Sequence, residues 1–303
     1  MLCVPQPPRF RAAAWPPATW APFPFEAAAS EAASSSAFTV VINTFKRRDL
    51  LRRAVAHYAT CGAAVASIRV VWSEQVPPPD ASNAADAAAY FAPGRPGLVR
   101  YEAHPTTSLN NRFVPLRGGA PTPGLFSVDD DMVVPCAALA DAFAAWRAAP
   151  HALVGFYPRL HERRRCGFAY VSAEPALLWR RRFSMVLTKA AFVHRYYFEL
   201  YTKHMPAEIR DYTTQRRECE DLAMAFLVAN ASAAPPVWVA PPLRFWAAAK
   251  LDGVGRKGIS SGGVAGHHAK RGACVEDFRD LYGGALPLRV APLADVARRA
   301  PPA

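Results

Sequence analysis

The sequence predicts an α/β protein built on an open sheet, and three stretches carry that prediction. FTVVINTF (38–45) is a β-branched apolar run that reads as a buried first strand. KRRDLLRRAVAHYAT follows with Leu50, Leu51, Val55 and Tyr58 at helical spacing, and SIRVVW (67–72) reads as a second buried strand. Strand, helix and strand in that order imply a parallel pair joined by a crossover. In LFSVDDDMVV (125–134) a third apolar strand stops at Asp129, Asp130 and Asp131. Ligands of open α/β sheets bind at the carboxyl ends of strands, where these acids fall.

The other elements follow in order. The Pro- and Ala-rich excursion after SIRVVW allows one short helix between loops, LVRYEAH reads as a short strand, and SLNNRFVPL opens a polar turn. Pro135 to Ala149 alternates at a helical period, and ALVGFYPR is strand-like again. The remainder is less regular: an Arg-rich loop, the run FSMVLTKAAF, an apolar helix at CEDLAMAFLVANA, and a Gly-rich loop at GVGRKGISSGGVAGHH. The first 37 residues are rich in Pro, Ala and Ser, so they read as a disordered linker with no standard signal peptide and no spanning apolar run. The expected division is a linker over 1–37, one domain over 38–290 and a tail over 291–303.

Bulk composition narrows the partners. Of 303 residues, 51% are hydrophobic, ample for a core. Lys and Arg outnumber Asp and Glu by 36 to 24, which suits an anionic partner, although a GC-rich genome inflates Arg and Ala in the same way. The Arg runs at 163–165 and 180–182 lack the interleaved aromatics of RNA binders, so no nucleic acid is expected. Six cysteines stand at 3, 61, 136, 166, 219 and 274 without a CxxC pair or zinc spacing, and their number leaves thiols and disulfides both open.

Three consecutive carboxylates repel one another, and a strand end has no folding reason to carry them. Such clusters hold hard divalent cations, which take oxygen ligands. A bound cation of this kind bridges a diphosphate and stabilises a leaving group. A D-x-D alone is weak, since surface turns contain many. Hydrolytic metal sites and phosphotransferases fit the same context.

The blocks FTVVINTFKR, SIRVVW, SLNNRF, SVDDDM, VGFYPR, FSMVLTKAAF, RRECEDLAMAF and HHAKRGAC occur in that order. Together they resemble the exostosin-like glycosyltransferases, the retaining α-N-acetylhexosaminyltransferase domain at the carboxyl end of exostosins, over residues 38–290. SLNNRF with CEDLAM is far more specific than the acidic triplet. The resemblance implies a GT-A type fold, a single open mixed sheet flanked by helices, with a nucleotide-sugar donor and Mn²⁺. Asn43 and Arg47 then match uracil and diphosphate contacts, and Asn111 and Arg112 match further donor contacts. Asp129 and Asp130 match the pair touching ribose and sugar, and Asp131 the metal ligand. Asp221, with Glu220 beside it, matches the catalytic acid near the anomeric carbon. Arg271 matches an Arg that reaches the diphosphate, with His267 a weaker companion on the same loop. Cys219 and Cys274 match a disulfide, which places the chain in a Golgi or endoplasmic reticulum lumen, membrane-associated.

Plainer roles exist for each residue. Arg47 suits a helix start, Asn110 and Asn111 suit turns, and Glu220 and Asp221 suit the positive end of a helix dipole. Cys61, Cys136 and Cys166 are expected to be reduced, and His57 and His161 structural. Thr107, Ser73, Glu74 and Lys189 depart from the family pattern, which leaves UDP or GDP and the sugar open, with UDP the first expectation. The expected function is metal-dependent, retaining transfer of an N-acetylhexosamine to a glycan or glycolipid. The alternatives are a glycosyl inositol phosphorylceramide sugar transferase and a non-catalytic basic glycan-binding protein.

Overall fold

A computed structural model describes residues 23–165, 167–172, 179–240 and 264–293. Helix before Phe38 corrects the assignment of residues 23–37 to a disordered linker, and residues 1–22 of that linker lie outside the described ones. Helix α1 (Phe25–Ser34) buries Ala28 and Ala32, and Phe23 ahead of it stacks on Tyr197 with ring centroids 4.8 Å apart. Alanines at i and i+4 let the helix lie close against its neighbour. Arg147 closes its carboxyl end, donating from Nε to Ala32 O at 3.1 Å and from Nη2 to Ala33 O at 2.6 Å.

Strand β1 (Phe38–Thr44) is buried on both faces, which is why it reads as an unbroken apolar run. Helix α2 (Arg48–Ala59) buries Leu50, Leu51, Ala54, Val55 and Tyr58 on one stripe, and β2 (Val65–Trp72) returns parallel to β1. Helix α3 (Ala84–Tyr90) is capped by Asn83, whose Oδ1 accepts from the Ala85 and Asp86 N–H groups. Strand β3 (Val99–Ala103) extends the parallel run from β2, and a 3₁₀ turn, Leu109–Phe113, leads to β4 (Gly124–Asp129) on the other side of β1. Helix α4 (Cys136–Ala148) covers β4 with Leu139, Phe143 and Trp146.

The carboxyl-terminal half is built from shorter pieces. These are β5 (Val154–Gly155), β6 (Pro158–Arg164), β7 (Gly167–Val171), β8 (Arg182–Phe183), β9 (Met185–Val186) and β10 (Ala190–His194). Helix α5 (Tyr196–Glu199) and a π turn, Leu200–His204, precede α6 (Ala207–Arg216) and the buried α7 (Glu220–Ser232). Strand β11 (Val237–Trp238), helix α8 (Val264–Leu281) and strand β12 (Ala291–Pro292) complete the described chain. The Gly-rich loop expected through His268 gives way to helix from Val264 onward, and its earlier residues lie outside the described ones.

The main sheet has seven strands in the order β11-β5-β10-β4-β1-β2-β3. Its β4-β1-β2-β3 side is parallel, whereas β10 runs antiparallel to both β4 and β5, so the sheet is mixed as expected. Two small sheets, β7-β6-β9 and β12-β8, stand beside it. In register, Asn43 of β1 faces Asp129 of β4 and Val71 of β2, so three strands end at one level.

Two disulfides brace the domain. Cys219 joins Cys274, as the family resemblance implied. Cys61 joins Cys136 with Cα atoms 5.1 Å apart, which corrects the expectation that both are reduced. The bridge links the end of α2 to the start of α4, two helices separated by 75 residues in sequence. With both sulfurs bonded, the neighbouring His57 has no thiolate beside it with which to share a metal; its Nε2 lies 2.7 Å from Val134 O.

Candidate active site

The acidic triplet fans out because the strand ends in a tight turn. The Met132 N–H donates to Asp129 O, and the Asp130 N–H donates to Asn43 O at the end of β1. Three consecutive carboxylates therefore point three ways. Asp130 is buried and accepts from Thr44 Oγ1 at 2.7 Å and Arg47 Nε at 3.2 Å. Asp131 keeps 19% of its side chain exposed and accepts from Arg47 Nη1 at 3.1 Å. Asp129 turns to Arg112, whose Nη2 donates to its Oδ1 at 2.8 Å.

Arg47 is held by its loop. Lys46 adopts φ 57, and its N–H donates to Glu74 Oε1 at 2.7 Å, while Arg48 donates to the other oxygen at 3.2 Å. Glu74, flagged in the sequence as a departure from the family pattern, thus pins the β1–α2 connection that carries Arg47.

The 3₁₀ turn buries Arg112 between two regions. Its Nη1 donates to Glu220 Oε1 at 3.0 Å, and its Nη2 also reaches Ser127 Oγ at 3.3 Å and Thr188 O at 3.1 Å. Asn111 beside it is turned inward: its Nδ2 donates to Ser73 Oγ and Thr106 O, and its Oδ1 accepts from Thr106 Oγ1. Asn110 is a fastener, accepting from Tyr201 and Thr213 and so locking this turn to α6.

Helix α7 begins abruptly. Arg217 and Cys219 both adopt left-handed backbone, φ 55 and φ 71, which reverses the chain from α6 into α7 and leaves Glu220 and Asp221 in the first turn. The Leu222 N–H donates to Asp221 Oδ1 at 2.8 Å, so the helix-end role foreseen for these acids is real. It is not their whole role. Arg271 of α8 holds both Asp221 oxygens through Nη1 at 2.9 Å. The Cys219–Cys274 bridge fastens the two helices beside this pair, and Gly272 brings α8 hard against β7. A Cβ at Gly272 would lie 2.9 Å from Phe168 O. Arg159 Nε and Arg271 Nη1 both donate to Tyr170 Oη, at 3.0 and 3.5 Å. His267, one turn before Arg271 on α8, is half-buried, and burial followed by the Arg271 charge lowers its pKa.

Charges in this cluster strain one another. Burial raises the Asp130 carboxyl to about 7 despite Arg47 and Thr44. Burial and then the adjacent Asp221 charge raise Glu220 to about 7. Burial lifts Asp221 too, yet Arg271 more than offsets it and its pKa falls. Burial draws Arg271 down, and Asp221 overrides this, so it stays charged. The ion pairs join five carboxylates, Asp129, Asp130, Asp131, Glu220 and Asp221, to three arginines, Arg47, Arg112 and Arg271. Fully ionised, that set carries a surplus of two negative charges, which fits a divalent cation beside the partly exposed Asp131. Arg112 Nε, Arg271 Nε and Thr188 Oγ1 are buried without a hydrogen-bond partner among the described residues.

Next to the cluster, Asn43, Thr44, Phe45, Ser73, Thr107, Ser108, Leu109 and Arg217 line a shallow recess of about 50 Å³. Asn43, Ser73 and Thr107 were marked in the sequence, whereas Arg217 was not; its only signal is its place just before CEDLAM. Tyr170 and Arg159 were also missed: Arg159 ends the strand-like ALVGFYPR with no chemical signal of its own, and Tyr170 follows a stretch that read as an Arg-rich loop.

A βαβ-built mixed sheet with acids and arginines gathered at its strand ends suits a phosphate-bearing ligand, and the family match defines the class as glycosyltransferase. Residues 38–293 match the Glycosyl transferase family 64 domain, and the chain belongs to that family. It is 39% identical over 257 residues to Glycosylinositol phosphorylceramide mannosyl transferase 1 of Arabidopsis thaliana, covering 82% of this chain and 73% of that protein. It is 29% identical over 263 residues to Exostosin-2 of Bos taurus, covering 84% of this chain and 33% of that protein, so it spans about a third of the latter. Among solved structures, GalNAc-T7 with UDP, GalNAc and Mn²⁺ shares 11% identity over 65% of this chain and 41% of its own, with a TM-score of 0.45.

Proposed function

We propose that the protein transfers a sugar from a nucleoside-diphosphate sugar to a glycolipid acceptor of the inositol phosphorylceramide kind, with retention at the anomeric carbon and a divalent cation, Mn²⁺ first among them. The observation that carries the reading is the fan of Asp129, Asp130 and Asp131, in which Arg47 holds the last two and Arg112 ties Asp129 to Glu220, beside the Asp221–Arg271 pair. Of the two acceptor classes open in the sequence, similarity to the Arabidopsis mannosyl transferase supports the glycolipid over the N-acetylhexosamine-extended glycan. The same similarity sets a GDP-sugar beside a UDP-sugar as the donor to test.

Each residue has a task in this proposal. The nucleobase packs against the mouth of the shallow recess lined by Asn43, Ser73 and Thr107, with Arg217 at its wall. Asn111 acts from below, as the support of Ser73, rather than as a direct contact. Asp131 holds the cation, which when bound neutralises diphosphate charge as the leaving group departs. Arg47 and Arg112, with Arg271 swung from Asp221, spread the remaining phosphate charge; Asp129 orients ribose and sugar, and Asp130, fully buried, holds Arg47 and Thr44 behind it. Asp221 would face the anomeric carbon and steady its positive charge or bond to it briefly, while the acceptor hydroxyl attacks from the face the diphosphate leaves and gives its proton to the departing phosphate oxygen. Glu220, neighbour of Asp221 and partner of Arg112, holds that arginine in place. His267 lines the rim. The two disulfides fit a secretory lumen, Golgi or endoplasmic reticulum, and no described helix is long and apolar enough to cross a membrane.

A panel of UDP- and GDP-sugars with and without Mn²⁺, read by thermal stabilisation and by the anomeric configuration of the product, tests this. Stabilisation needing both metal and nucleotide, lost in Asp131→Ala with the fold intact, is the expected result. Metal-independent, salt-sensitive glycan binding without transfer would instead support the non-catalytic alternative.

A further inference from the structure

The hairpin that buttresses Arg271 has a second end. Strands β6 and β7 carry Arg159 and Tyr170 at the end facing Arg271, and turn over at Arg164 and Gly167. At about 3.3 Å per residue, the turn lies roughly 16 Å along the strand from Arg159. Arg163, Arg164 and Arg165 are exposed there. The chain returns alongside through Trp179, Arg180, Arg181 and Arg182, and Arg180 reaches Glu162 of β6 at 2.9 Å. Within HERRR (161–165) and WRRR (179–182), Glu162 is the one acid, and Arg164 and Arg180 both pair with it.

This basic face is rigid and carries apolar surface. Strand β8 pairs with β12, which brings exposed Arg289 and Val290 to the same edge. Arg181 adopts φ 49, and its carbonyl accepts the Leu293 N–H at 2.7 Å, so the arginine run is displayed on fixed backbone. Trp179 is 87% exposed, the most of any large apolar side chain among the described residues, and Val290, 50% exposed, stands at the same edge. A Trp projecting from a cluster of arginines is the chemistry of a bilayer interface. The indole sits at headgroup depth, and the guanidinium groups meet anionic lipid. Nucleic acid would call for several stacking aromatics along a groove, and an acidic glycan would leave the Trp and Val without a role.

We propose that this face, Arg163 to Arg165 with Trp179 to Arg182 and Arg289–Val290, docks the domain on an anionic membrane surface. Because the other end of the same hairpin contacts Arg271, docking holds the candidate active site roughly 16 Å along that hairpin from acceptors displayed on the surface. This last consequence, unlike the docking, rests on the glycolipid reading above.

Cosedimentation of the full chain with phosphatidylcholine vesicles, with and without about a third phosphatidylinositol, tests the docking. Binding is expected only to the anionic vesicles. The Arg163→Ser, Arg164→Ser, Arg165→Ser triple variant should weaken it by roughly fivefold per arginine, and Trp179→Ser should weaken it separately. A charge-matched control, Arg52→Ser, Arg53→Ser and Arg100→Ser, should leave it nearly unchanged. Equal loss in control and patch variants, retention in both patch variants, or binding to a sulfated glycan but not to vesicles would each overturn the proposal. Melting temperatures establish that every variant folds. With glycolipid acceptor, the triple variant should lose turnover on vesicles and keep it in detergent micelles. Vesicle binding without glycolipid transfer would leave the docking standing and defeat the acceptor reading alone.

Discussion

The two halves of the domain are built on different principles. From β1 to β4 the chain lays down parallel strands in register, and the site residues sit where the strands stop: Asn43, Arg47 just beyond, and Asp129 to Asp131. From β5 onward the strands are short and partly antiparallel, and Glu220, Asp221 and Arg271 stand on helices held by a disulfide and a close glycine contact. One half gives a floor whose geometry comes from backbone ladders. The other gives a wall whose geometry comes from cross-links. Arg112 belongs to the first by sequence and grips both, through Asp129 and Glu220.

The sharpest way to break that comparison is at the wall. Asp221→Asn should keep donor-induced thermal stabilisation and lose transfer by roughly a thousandfold or more. Full turnover in that variant would remove Asp221 from the chemistry. Arg112→Ala strikes the joint between floor and wall. It leaves buried Glu220 and half-buried Asp129 without their guanidinium, so a loss of about 3 kcal/mol by denaturant titration is expected.

The disulfides give a paired test with a smaller effect on turnover. Their loops of 55 and 75 residues predict similar stabilisation, about 4 kcal/mol each. Cys219→Ser with Cys274→Ser should nevertheless lower kcat more than Cys61→Ser with Cys136→Ser, because only the first tethers Asp221 to Arg271. Equal kinetic effects at equal stability loss would mean the wall does not depend on its cross-link.

The smallest effect concerns the hairpin. Burial, with Arg182 adding to it, lowers His161 to about 4, and its Nδ1 lies 2.8 Å from Ser184 Oγ. The unfolded chain takes up this proton near pH 6.5 and the folded one only near 4. Stability is therefore full above about pH 6.5 and falls as pH drops toward 4, by roughly 1–2 kcal/mol for this group. His161→Gln should flatten that part of the stability profile.

How much of this could be read beforehand differs between the halves for physical reasons. Strands buried on both faces write continuous apolar runs, so β1, β2 and β4 were legible, and the acids at the end of β4 marked the site. Helix α1 was hidden because prolines precede it and alanine serves a linker as well as a close-packed helix. The helix under Arg271 was hidden by the glycines before it. The Cys61–Cys136 pairing was hidden because spacing does not encode which sulfurs meet. Glu74 looked like a departure and is a brace, and Asn111 looked like a contact and is a support.

By itself the sequence determined the α/β class, the parallel start of the sheet and the residues that gather at its strand ends, because local periodicity and strand-end chemistry are written residue by residue. Only the tertiary structure decided which carboxylate each arginine grips, which cysteines join, and that an arginine hairpin carries an exposed Trp179 away from the site. Those outcomes depend on contacts between residues tens to hundreds of positions apart, and such contacts leave no period in the chain.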